Sequence, residues 1–351
     1  MKKILFNIII FCLSFLAVLF ILEFYISYAE IESKSNFELD TIHGKHLKSD
    51  ARLCYFMEGF MMGNSNHYGY LGPSYPPEKD PSSLRISLVG DSYVEAFQVF
   101  DRQSFRKIME SELIGNGISA EVMNFGRSGF TMADMYVYMN NFCPRFKPDI
   151  QLVFLHNDDF EKTSYQALLP QLVLNEGELK IENRITSTRE YDLYNKTKFF
   201  RENSTLLRMV NNGIKLIKQG LFWQILLEKF YPNKKGTSTE SQKSVTKNVK
   251  NISEINRLVI KSWSEQQDVW LVICDQPAPG TRRLLDEFPV KLINLYEILD
   301  AEKQKGRNLN YWPATGKTGH WNYEGHQIIG KYLGKEIQKL DDDSGQNASK
   351  P

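Results

Sequence analysis

Cysteine is scarce in this sequence, with four residues in 351, which excludes a small fold stapled by disulfides. Charge of a single sign is missing too: 43 Lys and Arg stand against 42 Asp and Glu. The basic surplus of a nucleic-acid binder is therefore absent, and the local run from Lys243 to Lys250 reads as a solvated helix face. Asp158 and Asp159 have no His/Cys cluster of ligand spacing beside them, so no metal is expected. Gly126-Arg127-Ser128-Gly129 lacks the lysine and spacing of a phosphate loop, and no cofactor is expected either. There is no internal repeat. What remains, with 42% apolar and 13% aromatic residues, is a chain able to bury one large core.

Long apolar runs are also few, and the one at the N-terminus stands out. Lys2 and Lys3 precede Ile4 to Leu22, interrupted by Asn7 and Ser14. At ~1.5 Å per helical residue such a run is long enough to cross a bilayer. A cleaved signal peptide is the competing reading, with Ser27-Tyr28-Ala29 as a weak cleavage site. The length of the run and bulky Phe24 and Tyr25 after it favour an uncleaved anchor. Lysines before the run and Glu23, Glu30 and Glu32 after it place the N-terminus in the cytoplasm. The expectation is a single-pass membrane protein whose remaining chain lies on the periplasmic or extracellular side. Cys12 has no lipobox-like context. Cys54 with Cys143 is the one pair considered for a disulfide, and Cys274 reads as a small core residue.

Residues 29–80 form a juxtamembrane segment with little periodicity. Short apolar runs then alternate with helical patterns. Leu84–Val89, Ala120–Asn124, Ile150–Leu155, Asp268–Cys274 and Val290–Asn294 read as strands. Ser104–Leu113, Thr131–Phe142, Val245–Ser264 and Gly325–Leu340 read as helices. Such a pattern predicts an α/β fold whose parallel sheet is covered on both faces. The domain is expected over 81–340. Residues 165–240 form an insertion within it, with a hairpin at Leu172–Ile181, an amphipathic helix at Leu206–Gln219, an aromatic stretch at 221–231 and a polar linker at 233–242. This insertion is expected to be a helical lid or a packing surface. Residues 341–351 are expected to be a disordered tail.

In an open parallel sheet, ligands bind beyond the carboxyl ends of the strands, so the residues just after each strand are informative. Gly90-Asp91-Ser92 stands after the first, Gly126-Arg127-Ser128-Gly129 after the second, and His156-Asn157-Asp158 after the third; His320-Trp321-Asn322 precedes the last helix. Each motif alone reads as a turn or a cap. Together they supply the requirements of acyl transfer: a nucleophile, a base and donors for an oxyanion. Ser92 stands where a strand turns into a helix. Gly129 allows close backbone approach, and Asn157 carries a side-chain amide. Asp91 reads as a helix cap and His326 as structural. His156 is weighed as a packed strand-end residue ahead of a substrate contact.

These four segments resemble blocks I, II, III and V of the SGNH (GDSL-like) hydrolase superfamily, matching as Ser92, Gly129, Asn157 and His320. The stretch Asn66 to Pro73 resembles the segment ahead of block I in membrane-tethered bacterial members. The resemblance covers roughly 68–160 and 245–340. It implies a flavodoxin-like three-layer α/β/α sandwich with a five-stranded parallel sheet, here carrying an N-terminal transmembrane helix and a helical insertion. It further implies cofactor-free ester chemistry on an acylated small molecule or acetylated glycan, as a hydrolase or acetyltransferase, with Ser92 and His320 catalytic and Ser92, Gly129 and Asn157 as oxyanion hole. One departure matters. The aspartate that usually precedes the histidine by two or three residues is replaced by Thr318 and Lys317. Three readings stay open: a Ser–His dyad aided by a carbonyl, an acid from elsewhere, or a non-catalytic scaffold that binds glycan or a partner in surface-polymer assembly.

Overall fold

The computed structural model describes residues 2–29, 36–55, 57–161, 166–218 and 252–348. In chain order the elements are α1 (Lys2–Tyr28), β1 (Phe37–Asp40), β2 (Gly44–Leu47), β3 (Arg52–Tyr55), β4 (Met61–Asn64), β5 (Leu84–Val89), α2 (Ser92–Glu95), α3 (Phe105–Gly115), β6 (Ala120–Asn124), α4 (Met132–Asn141) and β7 (Ile150–Leu155). They continue with β8 (Gln171–Asn175), β9 (Glu178–Glu182), α5 (Arg189–Asn203), α6 (Thr205–Lys218), α7 (Glu254–Ser264), β10 (Val269–Ile273), α8 (Pro279–Glu287), β11 (Leu292–Ile293), α9 (Leu295–Gln304), β12 (Tyr311–Trp312), β13 (Lys317–Thr318) and α10 (Tyr323–Ala348). The chain divides into two compact units, 1–36 with 189–237 and 37–188 with 238–351.

The larger unit is built on a five-stranded sheet in the order β11-β10-β7-β5-β6, every pairing parallel. Counting these strands along the chain gives the flavodoxin-like order 2-1-3-4-5. Both faces are covered, so the strands are rich in apolar residues, and the polar Arg85, Ser87 and Gln151 within β5 and β7 are buried as well. Ile86, Leu88, Leu152 and Phe154 belong to a core with Phe105, Met109, Ile329 and Leu333 of α3 and α10. Val89, Val153 and Leu155 belong to the opposite core, with residues of α4, α7 and α8 such as Met135, Val259 and Leu284. Two helical layers thus sandwich the sheet. Helix starts are set by local chemistry: the Ser104 hydroxyl caps α3, Thr131 and Asp134 form a reciprocal capping box on α4, and Ser253 caps α7.

The structure departs from the sequence-based expectation in three places. The segment between the apolar run and the sheet is not featureless: it folds as two antiparallel hairpins, β1–β2 and β3–β4, and from Phe37 onward it lies in the same compact unit as the sheet. The last helix does not stop at Leu340 before a disordered tail but continues to Ala348. No proline interrupts it, and each added residue extends the hydrogen-bond ladder. The stretch expected to be a single insertion is shared between the units, with the β8–β9 hairpin in the larger and α5 and α6 in the smaller. The aromatic stretch, the polar linker and residues 245–251 of the expected helix at Val245–Ser264 lie outside the described residues. Cys54 is exposed, Cys143 is buried, and neither is in a disulfide.

In the smaller unit, α1 is long and apolar enough to cross a membrane. Its side chains from Ile4 to Leu22 are largely exposed, which in water would be costly for so many large apolar groups.

Candidate active site

Ser92 opens α2 directly after β5, and the Asp91 carboxylate caps the turn by accepting from the Tyr93 N–H at 2.9 Å. The loop after β6 is laced to this turn. The buried Asn124 side chain donates to the Val94 carbonyl at 2.8 Å and accepts from the Gly126 N–H at 2.9 Å. The Arg127 N–H reaches the Gly90 carbonyl at 3.0 Å. Buried Glu95, three residues after Ser92, accepts from the Ser128 N–H at 2.8 Å and from its hydroxyl. The second loop is therefore positioned by the first.

His320 reaches Ser92 across 228 positions of chain, with Nε2 2.8 Å from Oγ. Its other ring nitrogen is not idle. Nδ1 lies 2.9 Å from Oε2 and 3.1 Å from Oε1 of Glu58, and the His320 N–H donates to Oε2 at 3.0 Å. Glu58 comes from the connection between β3 and β4, a stretch in which no motif marks an acid. Burial opposes its charge, yet the hydrogen bonds and charge of His320, with Lys317 beyond, hold its carboxyl below the ordinary range. Among the three readings of the missing aspartate, the geometry is that of an acid from elsewhere. Lys317 and Thr318, the positions at which the sequence resemblance implied an acid, form β13 and pair with β12.

The connection that carries Glu58 is held to the histidine segment at several points. The Thr315 hydroxyl donates to the Glu58 carbonyl at 2.8 Å, and the Tyr323 hydroxyl to the Phe60 carbonyl at 3.1 Å. The Trp312 indole N–H holds the His320 carbonyl at 3.0 Å. Gly319 is the tightest point: a Cβ there would lie 2.4 Å from Glu58 Oε1 and 2.5 Å from Cδ. Gly319→Ala is therefore expected to displace the carboxylate while leaving the fold intact, since only the end of a side chain must move. Misplacement of this kind costs on the order of 10²-fold in kcat. Activity within about twofold of wild type, at unchanged melting temperature, would mean Glu58 is not needed where it stands.

Tyr93, half-buried, follows Ser92. Its ring lies 4.7 Å from that of His320, 4.5 Å from that of His156 and 4.9 Å from that of Trp321. His156 lies against Tyr93, and its Nδ1 is 3.2 Å from Asp275. Burial pushes its imidazole down, but neighbouring Cys274 and Asp275 lift it well above the ordinary value. His326 is structural, buried with Nδ1 accepting from the Phe105 N–H at 3.2 Å, and burial holds it at about 3.

Gly129 and Asn157 come after β6 and β7 at the same sheet edge. Gly129 has a φ of +82°, which glycine adopts without strain, and its carbonyl accepts from Gln166 at 3.2 Å. Asn157 clasps the loop after β10. Its amide donates to the Gln276 carbonyl at 2.8 Å, and its Oδ1 accepts from the Ala278 N–H at 3.0 Å. An amide carries two hydrogens, so this clasp leaves one for another acceptor.

Burial also tunes Glu95, lifting it to about 7 against the Ser128 hydrogen bonds and the Arg127 charge, with Asp91 adding to the rise. The folded protein thus keeps a proton on Glu95 between the unfolded value of 4.5 and about 7, and stability falls as pH rises through that window. Glu95→Gln, which cannot ionise, is expected to gain on wild type by several degrees of melting temperature between pH 5 and pH 8. A constant difference across that range would show that Glu95 does not titrate there.

No family profile and no curated sequence matches the chain. Solved structures similar to it include a member of the lipolytic protein G-D-S-L family from Veillonella parvula, 12% identical, TM-score 0.29, with 72% of this chain and 97% of that one covered. An acetyl xylan esterase is 13% identical, TM-score 0.36, with 72% and 99% covered. The psychrotrophic esterase EstA of Pseudoalteromonas sp. is 9% identical, TM-score 0.36, with 74% and 99% covered.

Proposed function

We propose that this chain is a serine ester hydrolase of the SGNH type, held at the cell membrane by α1 with its catalytic unit outside the cytoplasm. The observation that carries the reading is the continuous chain from Ser92 Oγ to His320 Nε2 at 2.8 Å and from His320 Nδ1 to Glu58 at 2.9 Å. A serine hydroxyl is a poor nucleophile unless a base takes its proton, and an imidazole is a directed base only when its far nitrogen is held. His320 has a side-chain exposure of 23% and Glu58 of 16%, which suits a base open to substrate and an acid behind it.

In this mechanism Ser92 Oγ attacks the acyl carbon as its proton passes to His320 Nε2. Glu58 stabilises the imidazolium and keeps its Nδ1 proton in place. The oxyanion accepts hydrogen bonds from the Ser92 and Gly129 N–H groups and from the remaining Asn157 amide hydrogen. His320 then protonates the leaving alkoxide, and water, or a sugar hydroxyl in a transferase, resolves the acyl-enzyme by the same route. The substrate class is an acylated small molecule or an acetylated glycan. The scaffold reading rests on the missing acid before His320, and the Glu58 carboxylate beside Nδ1 supports the hydrolase reading over it.

The test is a screen of the purified full chain in detergent against nitrophenyl esters of increasing acyl length and acetylated sugars. Turnover of at least one ester and a phosphonate adduct on Ser92 are expected. An absence of both, in folded protein, would overturn the esterase reading.

A further inference from the structure

Within the smaller unit, α6 is tied to the end of α1. The Glu23 carboxylate accepts from the Thr205 N–H at 2.6 Å, the Leu206 N–H at 3.0 Å and the Ser204 hydroxyl at 2.8 Å. Ser27 Oγ lies 2.8 Å from Thr205 Oγ1. Helix N-termini leave backbone donors without partners, and a carboxylate there is favoured by the helix dipole. Glu23 therefore fixes where α6 begins. The apolar stretch ahead of it, about 20 residues, is ~30 Å long as a helix and matches the hydrocarbon core of a bilayer. Glu23 then falls at the boundary between acyl chains and headgroups, flanked by exposed Phe24 and Tyr25.

The helix that starts at this level is sharply two-sided. At 100° per residue, its apolar positions from Leu206 to Ile217 share one half of the circumference, and Arg208 and Asn211 lie on the other. Leu207, Val210, Ile214 and Ile217 form an exposed apolar stripe. Phe199 and Phe200, at the end of the preceding helix, are exposed as well. Residues 189–218 contain seven Lys or Arg against three Asp or Glu, a surplus that the whole chain lacks.

We propose that α6 lies in the plane of the membrane, its apolar stripe seated at the headgroup–acyl boundary of a bilayer containing anionic phospholipid. This rests on the reading of α1 as an uncleaved anchor and is independent of the ester chemistry. The Glu23 tie starts α6 at the end of α1, and a basic amphipathic helix at that depth meets lipid on one side and water on the other. A second copy of the chain would need no such basic surplus. Anionic headgroups are attracted by it.

The test places an environment-sensitive fluorophore on the full chain in nanodiscs with and without anionic lipid. Labels go at Val210→Cys or Ile214→Cys on the stripe, Asn211→Cys on the polar side and Phe20→Cys in the anchor, in a background lacking exposed Cys12 and Cys54. Nitroxides on lipid chains should quench the stripe labels several-fold more strongly than the Asn211 label, and an aqueous quencher should show the opposite order. Removing anionic lipid should weaken the contrast. A stripe label quenched mainly from water would overturn the proposal, and so would one shielded from both quenchers, as an interface with protein would produce. If the Phe20 label is reached from water, the anchor reading fails and the proposal with it. Ester turnover measured on the same samples is read separately.

Discussion

Ser92→Ala is expected to lower kcat by ~10⁶-fold, to the residual rate that an oxyanion hole and binding alone support. The reason lies in the geometry: Oγ is the atom 2.8 Å from His320 Nε2, and among the described residues no other nucleophile is hydrogen-bonded to that nitrogen. The fold should be untouched, because the turn is capped by Asp91 and the α2 ladder is made by backbone groups. Loss of turnover should therefore come with an unchanged melting temperature and with loss of phosphonate labelling by intact mass. Labelling that persists in the variant would move the nucleophile elsewhere.

Glu58→Gln should cost ~10⁴-fold in kcat, the loss expected when the carboxylate behind a catalytic imidazole becomes an amide. The amide keeps the shape but presents one donor and one acceptor where two acceptor oxygens now face Nδ1 and the His320 N–H. The wrong tautomer is then favoured and the imidazolium loses its counter-charge. Labelling of Ser92 should slow in parallel, whereas KM should change little if Glu58 never touches substrate. A loss below about tenfold would reduce the site to a dyad. With Nδ1 already held by Glu58, an aspartate introduced at Lys317 or Thr318 has no vacancy to fill and is not expected to raise turnover.

The sheet is legible in the sequence because its strands are buried on both faces. Leu84–Val89, Ala120–Asn124 and Ile150–Leu155 are short, mostly apolar segments closed by glycine, asparagine or histidine, and their observed bounds are those the pattern predicts. The strand-end rule then places Ser92, Gly129 and Asn157 on one edge without any knowledge of contacts. The hairpins at 37–64 are illegible. Their strands are four residues long with mixed burial, too short for a period to emerge. Glu58 is hidden for the same reason. It is one of 42 acidic residues, lies 262 positions from His320, and has no motif around it. The one available signal is negative: a histidine without the expected acid before it leaves a place for a carboxylate from another part of the chain, without saying which. Gly319, whose missing Cβ makes room for that carboxylate, gains meaning only once Glu58 is known.

By itself the sequence determined what is local or periodic: the apolar span, the parallel strands, the turn that presents Ser92, and the amphipathic character of α6. Each arises from hydrophobic periodicity or from a residue's preference for a cap or turn, which act over a few positions. Tertiary structure alone decided which carboxylate holds His320, how Asn157 shares its amide with the loop after β10, and that Glu23 caps α6. These depend on groups brought together across 119 to 262 positions, where burial and hydrogen-bond geometry select the partner and sequence spacing carries no information.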